Sequence, residues 1–309
     1  MRLEYLRYFD HLAEVLSFTR AAEDLFMAQP TLSTAIKRLE AELGVVLFRR
    51  SEGVARVELT EAGRVLHEYT SMALNNFDTG LRLAREAQGE ANSSIRVGTI
   101  YAMQGRVWSQ AMQAFNETQA TPPKVSIDQA YSFELAKRMN AGSLDVAFAG
   151  LVPDAEGLDR VLVWSQPLVL CVHKDNPLAK RRTVSLDDLA GKEFLTYSAQ
   201  SPVALALDEH LPKGRFDLKR EHSDEITLCA LVSSDPSKMA LLCYSFLIEA
   251  FPDVTCVRIT GLPTDFQKIY LFSRHETHPK VVSDFIDFMA TYRFPNVLNA
   301  GWEDAHPAR

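Results

Sequence analysis

Between Gln29 and Arg56 the chain gathers side chains able to read and grip a nucleic acid. Gln29 can make paired hydrogen bonds to adenine. Thr31, Ser33 and Thr34 can bond several base edges or meet a thymine methyl group, and Lys37 and Arg38 can bond guanine or neutralise phosphate. Ser33 and Lys37 are four residues apart, as are Thr34 and Arg38, so each pair lines up on one face of a helix. Beyond Gly44, Arg49, Arg50 and Arg56 add three guanidinium groups suited to phosphate. The stretch holds five Lys/Arg against three Asp/Glu, inside a chain whose formal net charge is −7. The acidic total speaks against a nucleic-acid partner. The local arrangement outweighs it, because a phosphate feels charge only within a Debye length of about 8–10 Å.

The elements that must hold these groups follow from apolar spacing. Leu6, Phe9, Ala13 and Leu16 recur at helical intervals. Ser17 and Thr19 offer N-caps for a second helix, whose Ala21, Ala22 and Leu25 form a thin apolar face. Pro30 suits the first turn of a third helix. There Leu32, Ile36, Leu39 and Leu43 repeat at steps of four, three and four, which predicts a buried stripe and turns Gln29, Thr31, Lys37 and Arg38 outward. Thr19 and Arg20 on the second helix join the outward set. Val45–Phe48 and Val54–Leu59 read as two strands around a turn at Ser51, Glu52 and Gly53, a hairpin wing beside the third helix. Thr60 then caps a run to about Gln88 in which Leu66, Tyr69, Ala73, Phe77, Leu81 and Ala84 keep a three-four rhythm. A helix of about 28 residues extends about 42 Å. Its length predicts that it pairs two copies, since a two-fold protein matches a two-fold DNA site. GEANSS, from Gly89 to Ser94, reads as a hinge.

The segment AAEDLFMAQPTLSTAIKRLEAELGVVLFRR followed by LTEAG resembles the N-terminal winged helix-turn-helix of LysR-type bacterial transcriptional regulators. The resemblance runs through residues 1 to about 65. It implies that Gln29, Pro30, Thr31 and Ser33 open the recognition helix, that Arg49, Arg50 and Arg56 serve the wing, and that the helix after Thr60 is the dimerising linker. Two features depart from the family. Ala28 stands where relatives usually carry Ser, which removes an N-cap worth about 1 kcal/mol. Glu52 and Glu58 on the wing repel phosphate.

From Ile95 onward short apolar strands alternate with helices, which is βαβ logic and predicts a mostly parallel sheet. Strands are expected at IRVGTI, VSIDQA, DVAFAG, PLVLCVHK, EFLTYS, MALLCY, VTCVRI and KIYLFSR. Helices are expected over 103–118, 132–140, 202–211 and 279–292, with another holding 226–232 and a short capped one at SLDDLAG. Two α/β lobes follow, with the chain crossing near Trp164–Pro167 and again near Pro263–Gln267. The pattern, with pieces such as LAKRMNAGSLDVAFAG and VHKDNPLAKRRTVSLDDLAGKEF, resembles the LysR effector domain, which shares the fold of type 2 solute-binding proteins. The expected division is a winged helix-turn-helix over 1–60, a linker helix and hinge over 61–92, an effector domain over 93–295 and a tail over 296–309. Lobe I takes about 93–164 and 267–295, and lobe II about 165–266.

In such a fold a ligand sits between the lobes, at strand ends and helix starts. Free backbone N–H groups there favour a carboxylate or phosphate. Thr99, Tyr101 and Gln104 follow the first strand, Ser132 and Phe133 the second, and Ser198, Gln200 and Ser201 follow EFLTYS in the other lobe. The resemblance places Ser132 at a ligand-contacting hydroxyl position. Ala102 stands where many relatives carry a hydroxyl, and Asp235–Pro236 replaces their glycine-rich turn.

Other chemistry finds little support. No GxSxG elbow, P-loop, GxGxxG or HExxH occurs, so neither an enzyme nor a metal or other cofactor is expected. HETH, from His275 to His278, lacks a third ligand and reads as polar loop. Asp187–Asp188 and Asp224–Glu225 open helices, where the macrodipole explains them. Cys171, Cys229, Cys243 and Cys256 fit no zinc or redox spacing and lie in apolar runs, which predicts buried free thiols; a redox-sensing pair is the alternative. No apolar run spans a bilayer, and the start MRLEYLRYFD is not a signal peptide, so the chain is expected in the cytoplasm, away from membranes. The expected partners are double-stranded DNA, a small-molecule effector of anionic character, and a second copy in a dimer or tetramer, with RNA polymerase a further candidate. The competing reading is a solute-binding module or enzyme on the same scaffold.

Overall fold

The structure, a computed structural model, describes residues 2–50, 56–89, 94–103 and 105–294. The chain divides into two compact units, residues 1–91 with 141–143, and residues 92–140 with 144–309.

In the first unit α1 (Leu3–Val15), α2 (Phe18–Asp24) and α3 (Gln29–Leu43) pack around Phe9, Leu12, Ala13, Ala21, Ala22, Leu32, Ile36 and Leu39. Two adjacent alanines on α2 leave room for α3 to lie close. Ser17 caps α2 by accepting the Arg20 N–H at 3.4 Å, so the cap offered at Thr19 is not the one used. The start of α3 has Ala28 at its N-cap and no side-chain bond there. The expected seam holds at Leu32, Ile36 and Leu39, and Ala35 joins it. Leu43 departs from it and is exposed, because the helix ends there as Gly44 takes φ +71°. The Glu40 carboxylate then accepts the N–H groups of Leu47 (2.7 Å) and Phe48 (3.3 Å), fixing the turn into the wing.

The wing pairs β1 (Phe48–Arg50) antiparallel with β2 (Val57–Leu59), Phe48 opposite Leu59 and Arg49 opposite Glu58. Val45 and Val46 are exposed and outside the strand expected to begin there. The turn at Ser51, Glu52 and Gly53, with Val54, lies outside the described residues.

Thr60 joins wing and long helix. Its hydroxyl donates to the Val46 carbonyl (2.7 Å) and accepts the Gly63 N–H (2.9 Å) at the start of α4 (Glu61–Ala87). Gly63 is buried against the Leu47 backbone, which a side chain would meet directly. The inward face of α4 is Gly63, Thr70 and Leu74, with Leu66 packed against the same core. Arg7 on α1 grips Asp78 through two nitrogens (2.5 and 3.2 Å), and Asp10 accepts the Ser71 hydroxyl. The apolar rhythm read from the sequence is therefore largely the outer face: Tyr69 is 65% exposed, Phe77 50% and Leu81 40%.

The second unit runs β3 (Ser94–Thr99), α5 (Arg106–Glu117), β4 (Lys124–Gln129), α6 (Ser132–Asn140), β5 (Val146–Gly150), β6 (Asp159–Gln166), β7 (Leu168–His173), β8 (Thr183–Ser185), α7 (Leu186–Leu189), β9 (Glu193–Tyr197), α8 (Pro202–His210), β10 (Asp217–His222), α9 (Glu225–Ser234), β11 (Met239–Cys243), β12 (Val254–Thr260), β13 (Gln267–Ser273) and α10 (Lys280–Thr291). Five strands form one sheet in the order β4-β3-β5-β13-β6, and six form another in the order β10-β9-β11-β7-β12-β8. The chain leaves the first sheet at Gln166, enters the second at Leu168, and returns between Thr260 and Gln267.

The sheets are mixed rather than mostly parallel. β13 runs antiparallel to both β5 and β6, and β7 antiparallel to both β11 and β12. A strand that closes a lobe after a crossover arrives from the opposite end, which produces this reversal. Val146–Gly150 and Leu168–Val172 are wholly buried, as continuous apolar runs require. Asp145 is also buried. Its carboxylate accepts the Arg96 N–H (2.8 Å) and guanidinium (2.7 Å), which fixes the register of β3 against β5.

Replacing Gly63 with Ala tests the joint below the wing. Alanine favours a helix over glycine by about 1 kcal/mol. The obstacle here is a backbone carbonyl that cannot step aside, so overpacking wins by about 1–3 kcal/mol. Thermal denaturation is expected to show Gly63→Ala destabilising the first unit; a raised melting temperature would contradict the close approach.

Candidate functional sites

The first candidate is the outer face of α3. Burial of Leu32, Ala35, Ile36 and Leu39 leaves Gln29, Pro30, Thr31, Thr34, Lys37 and Arg38 exposed, with Ser33 half-buried. Thr19 and Arg20 are exposed on α2. The Thr34 hydroxyl donates to the Pro30 carbonyl (2.8 Å), so its donor is already engaged. On the wing Arg56 is exposed. Arg49 is exposed but paired across the hairpin with Glu58 at 3.0 Å, which offsets both the attraction expected of one and the repulsion expected of the other. The side chain of Arg50 is outside the described residues.

The second candidate lies in the two-lobed unit, where a cavity of about 240 Å³ opens between the sheets. Tyr101, Ser132, Phe133, Ser198, Gln200 and Ser201, drawn from both lobes, line it together. Two expected residues stand apart. Thr99 is 1% exposed and is not among the lining residues, because it is the last residue of β3 and sits under the loop that follows. Gln104 lies outside the described residues. Ser132 has a structural task as well: its Oγ accepts the Gly150 N–H at 3.0 Å. Ser201 caps α8 by accepting the Ala204 N–H at 3.0 Å. Gly150 itself allows the lobes to approach, since a methyl there would stand 2.8 Å from Pro202 Cγ at the start of α8.

Sequence reasoning missed much of the wall. Tyr131, Gln166, Tyr197, Ser223, Asp224, Glu225 and Gln267 also line the cavity. Gln166 and Gln267 face each other across β6 and β13 at the crossing, and both are buried. Asp224 does cap α9, accepting the Thr227 N–H at 2.7 Å. Glu225 is different. It is 8% exposed, and its placement in the helix EITLCALV, apolar apart from its polar Thr227, was the available signal. Burial pushes its carboxyl up to about 7, with Asp224 adding repulsion, while its own backbone N–H and the Tyr197 hydroxyl pull the other way. Tyr197 in turn accepts the Cys243 N–H at 3.0 Å.

The remaining singled-out groups do not assemble into a centre. His275 bonds Asp159 at 3.1 Å, and His278 lies 3.0 Å from the Arg274 carbonyl. Among the described residues no group of three metal-ligating side chains comes together. All four cysteines are buried, with Cys171 Sγ 3.9 Å from Cys229 Sγ. Contact with Cys171 and burial push the Cys229 thiol up, and burial does the same to Cys243.

The Glu225 carboxyl links stability to pH. Below 4.5, its ordinary value, it is protonated whether the chain is folded or not and costs nothing. Between 4.5 and about 7 the folded state keeps a proton that the unfolded chain has released, so stability falls as pH rises. Glu225→Gln removes that dependence. From pH 5 to pH 8 its unfolding free energy is expected to gain about 2–3 kcal/mol on the wild type, read by urea denaturation at each pH. A difference that stays constant with pH would contradict the raised carboxyl.

Comparison with known proteins agrees with this layout. Residues 3–64 match the bacterial regulatory helix-turn-helix protein, lysR family, and residues 88–293 match the LysR substrate binding domain. The hydrogen peroxide-inducible genes activator of Pectobacterium carotovorum subsp. carotovorum is 32% identical over 198 residues, 63% of this chain and 64% of that protein. The regulator CatR of Pseudomonas putida is 33% identical over 201 residues, 64% of this chain and 66% of that protein. The chain thus matches less than two thirds of the length of these relatives. Full-length CbnR, solved with its target DNA, superposes with a TM-score of 0.68 at 23% identity, covering 94% of this chain and 99% of that one. A full-length OxyR variant from Pseudomonas aeruginosa gives 0.67 at 21%, covering 98% and 96%. At such identities the structural likeness is one of fold. With both of its parts matched by the two domain families, the chain belongs to the LysR family of bacterial transcriptional regulators.

Proposed function

We propose that this regulator binds operator DNA through α3 and the wing, and changes its occupancy when a small molecule fills the cavity between the lobes. The observation that carries the reading is the face of α3. Leu32, Ala35, Ile36 and Leu39 are buried in the core, and the other side carries Gln29, Thr31, Lys37 and Arg38 to solvent. A helix of this kind reads base edges in a major groove while flanking cations hold phosphate. CbnR, a protein of this fold, has been solved in complex with its target DNA, which lends support.

Pairing of two copies is part of the proposal. Val65, Tyr69, Phe77 and Leu81 recur along α4 at intervals of four or eight and are each at least 40% exposed. A second α4 would cover them, and a two-fold arrangement would present two recognition helices to a two-fold site. Action in the cytoplasm follows from this role, and no described helix is long and apolar enough to cross a membrane. For switching between mostly one state and mostly the other, the effector must favour one by about 5.5 kcal/mol. The curated relatives above are regulators rather than enzymes. A redox switch has less in its favour, since buried, protonated thiols react slowly with oxidants.

Genome-wide mapping of bound sites supplies an operator, and fluorescence anisotropy then measures affinity for it. Affinity is expected to fall steeply with salt. Lys37→Ala is expected to weaken binding to all sequences alike and lower the salt slope by about 1, whereas Gln29→Ala costs about 1–3 kcal/mol and relaxes sequence preference at one base pair. Wild-type affinity that is indifferent to salt and to both changes would defeat the proposal.

A further inference from the structure

The charge of the cavity wall contradicts the simplest expectation from its helix starts. Among the described residues that line it, the charged ones are Asp224, Glu225 and Glu134, all acidic, the last paired with Arg138 at 3.0 Å; none of the lining residues is Lys, Arg or His. Lys137 lies nearby in sequence, but its ammonium rests 4.5 Å over the Phe133 ring and is not part of the wall.

At two of the three helix starts around the cavity, a backbone donor that would otherwise receive an anion has a partner already. Ser201 answers the Ala204 N–H at the start of α8 and Asp224 answers the Thr227 N–H and hydroxyl at the start of α9, while the Ser132 hydroxyl at the start of α6 accepts the Gly150 N–H of β5. At α9 the helix end is furthermore covered by a full negative charge, larger than the roughly half charge of the macrodipole. The buried glutamines also direct amide N–H groups at main-chain carbonyls: Gln166 to Tyr244 at 3.0 Å, Gln267 more weakly to Lys268 at 3.5 Å. What faces the cavity is rich in acceptors. Tyr101 and Tyr131, with ring centroids 5.5 Å apart and planes tilted at 56°, add two aromatic walls, and an aromatic face attracts a cation.

We infer that the effector of this cleft is an organic cation, an amine or amidine on a compact apolar or aromatic body, with its charged group held by Glu225 and Asp224 and its body against Tyr101 and Tyr131. The inference rests on the reading of the cavity as the effector site and names the ligand class that site selects. It carries a proton signature. A cation beside Glu225 draws its carboxyl into the ionised form, so binding releases a proton. The titratable groups facing Glu225 are Tyr197 from β9, Cys243 from β11, Cys229 one turn along α9, Tyr131 before α6 and Asp224 beside it. The two tyrosines and two thiols are all pushed upward, away from neutral pH.

The test uses the full chain and a panel of small amines and amidines, each matched with a neutral and a carboxylate counterpart of the same body; benzylamine, benzyl alcohol and benzoate form one such set, benzamidine and benzamide part of another. Thermal shift identifies hits and calorimetry measures them. Cations are expected to stabilise the protein while matched carboxylates do not. Asp224→Asn, which keeps the cap and loses the charge, and Glu225→Gln are each expected to weaken the amine about tenfold. Amine affinity is expected to be about tenfold greater at pH 8 than at pH 6 in the wild type and level in Glu225→Gln. Hits confined to carboxylates, yet lost on Tyr101→Ala, would overturn the charge assignment and leave the cleft reading standing. Hits indifferent to Tyr101→Ala, Asp224→Asn and Glu225→Gln would overturn both, and a panel with no cationic hit would overturn the inference.

Discussion

Everything proposed for the N-terminal unit depends on one packing constraint, the burial of Leu32, Ile36 and Leu39 against Phe9, Leu12 and Leu47. A helix rotates as a rigid body, so fixing one stripe inward fixes the opposite stripe outward. Fully burying one such side chain is worth about 1.5–3 kcal/mol. Three together hold the rotation of α3 far more firmly than any surface ion pair, which contributes roughly 0–1 kcal/mol. The same core holds Leu47 at the base of the wing. Through Leu47 and Val46 the backbone contacts of Thr60 and Gly63 then set where α4 begins. The outer face of α3, the wing and the long helix are thus parts of one packed object.

The two-lobed unit is built on a different constraint, a chain that crosses twice between sheets. Gln166 and Gln267 sit opposite each other at the crossing, and Gly150 and Pro202 touch beside it. The cavity is what remains between these fixed points. Its walls come from the loops after β3, β4 and β9 and from the starts of α6, α8 and α9. Small relative movements of the lobes therefore reach many wall residues at once, a geometry suited to coupling ligand binding to shape.

How much of this could be read in the sequence depended on what kind of information each part required. The seam of α3 was legible because its period is local, and Ser132–Asn140 matched residue for residue because apolar spacing and a polar start agree. Leu43 escapes the pattern because periodicity does not announce where a helix stops. The rhythm along α4 is plain in the sequence, but an apolar stripe does not say whose surface covers it. The chain's own core uses Gly63, Thr70 and Leu74 instead. Asp217–His222, DLKREH, was invisible as a strand because it is an edge strand of mostly polar residues, lying beside β9 alone. The acidic wall was hidden for a further reason. Glu225, Tyr197 and Tyr131 are far apart along the chain and meet only once both sheets are in place. Read alone, Asp224–Glu225 is a helix start; in three dimensions both line a cavity, and Asp224 caps α9 as well.

Whether α3 faces DNA because its apolar stripe is buried can be tested by tethered cleavage. All four native cysteines are buried, so a single cysteine placed at exposed Thr31 can be labelled selectively with an iron chelate, and one at exposed Glu14 on α1 serves as the control. Strand cleavage is expected centred in a major groove of each half of the operator from position 31, with none of that pattern from position 14. Equal cleavage from both positions, or cleavage from position 14 alone, would contradict it.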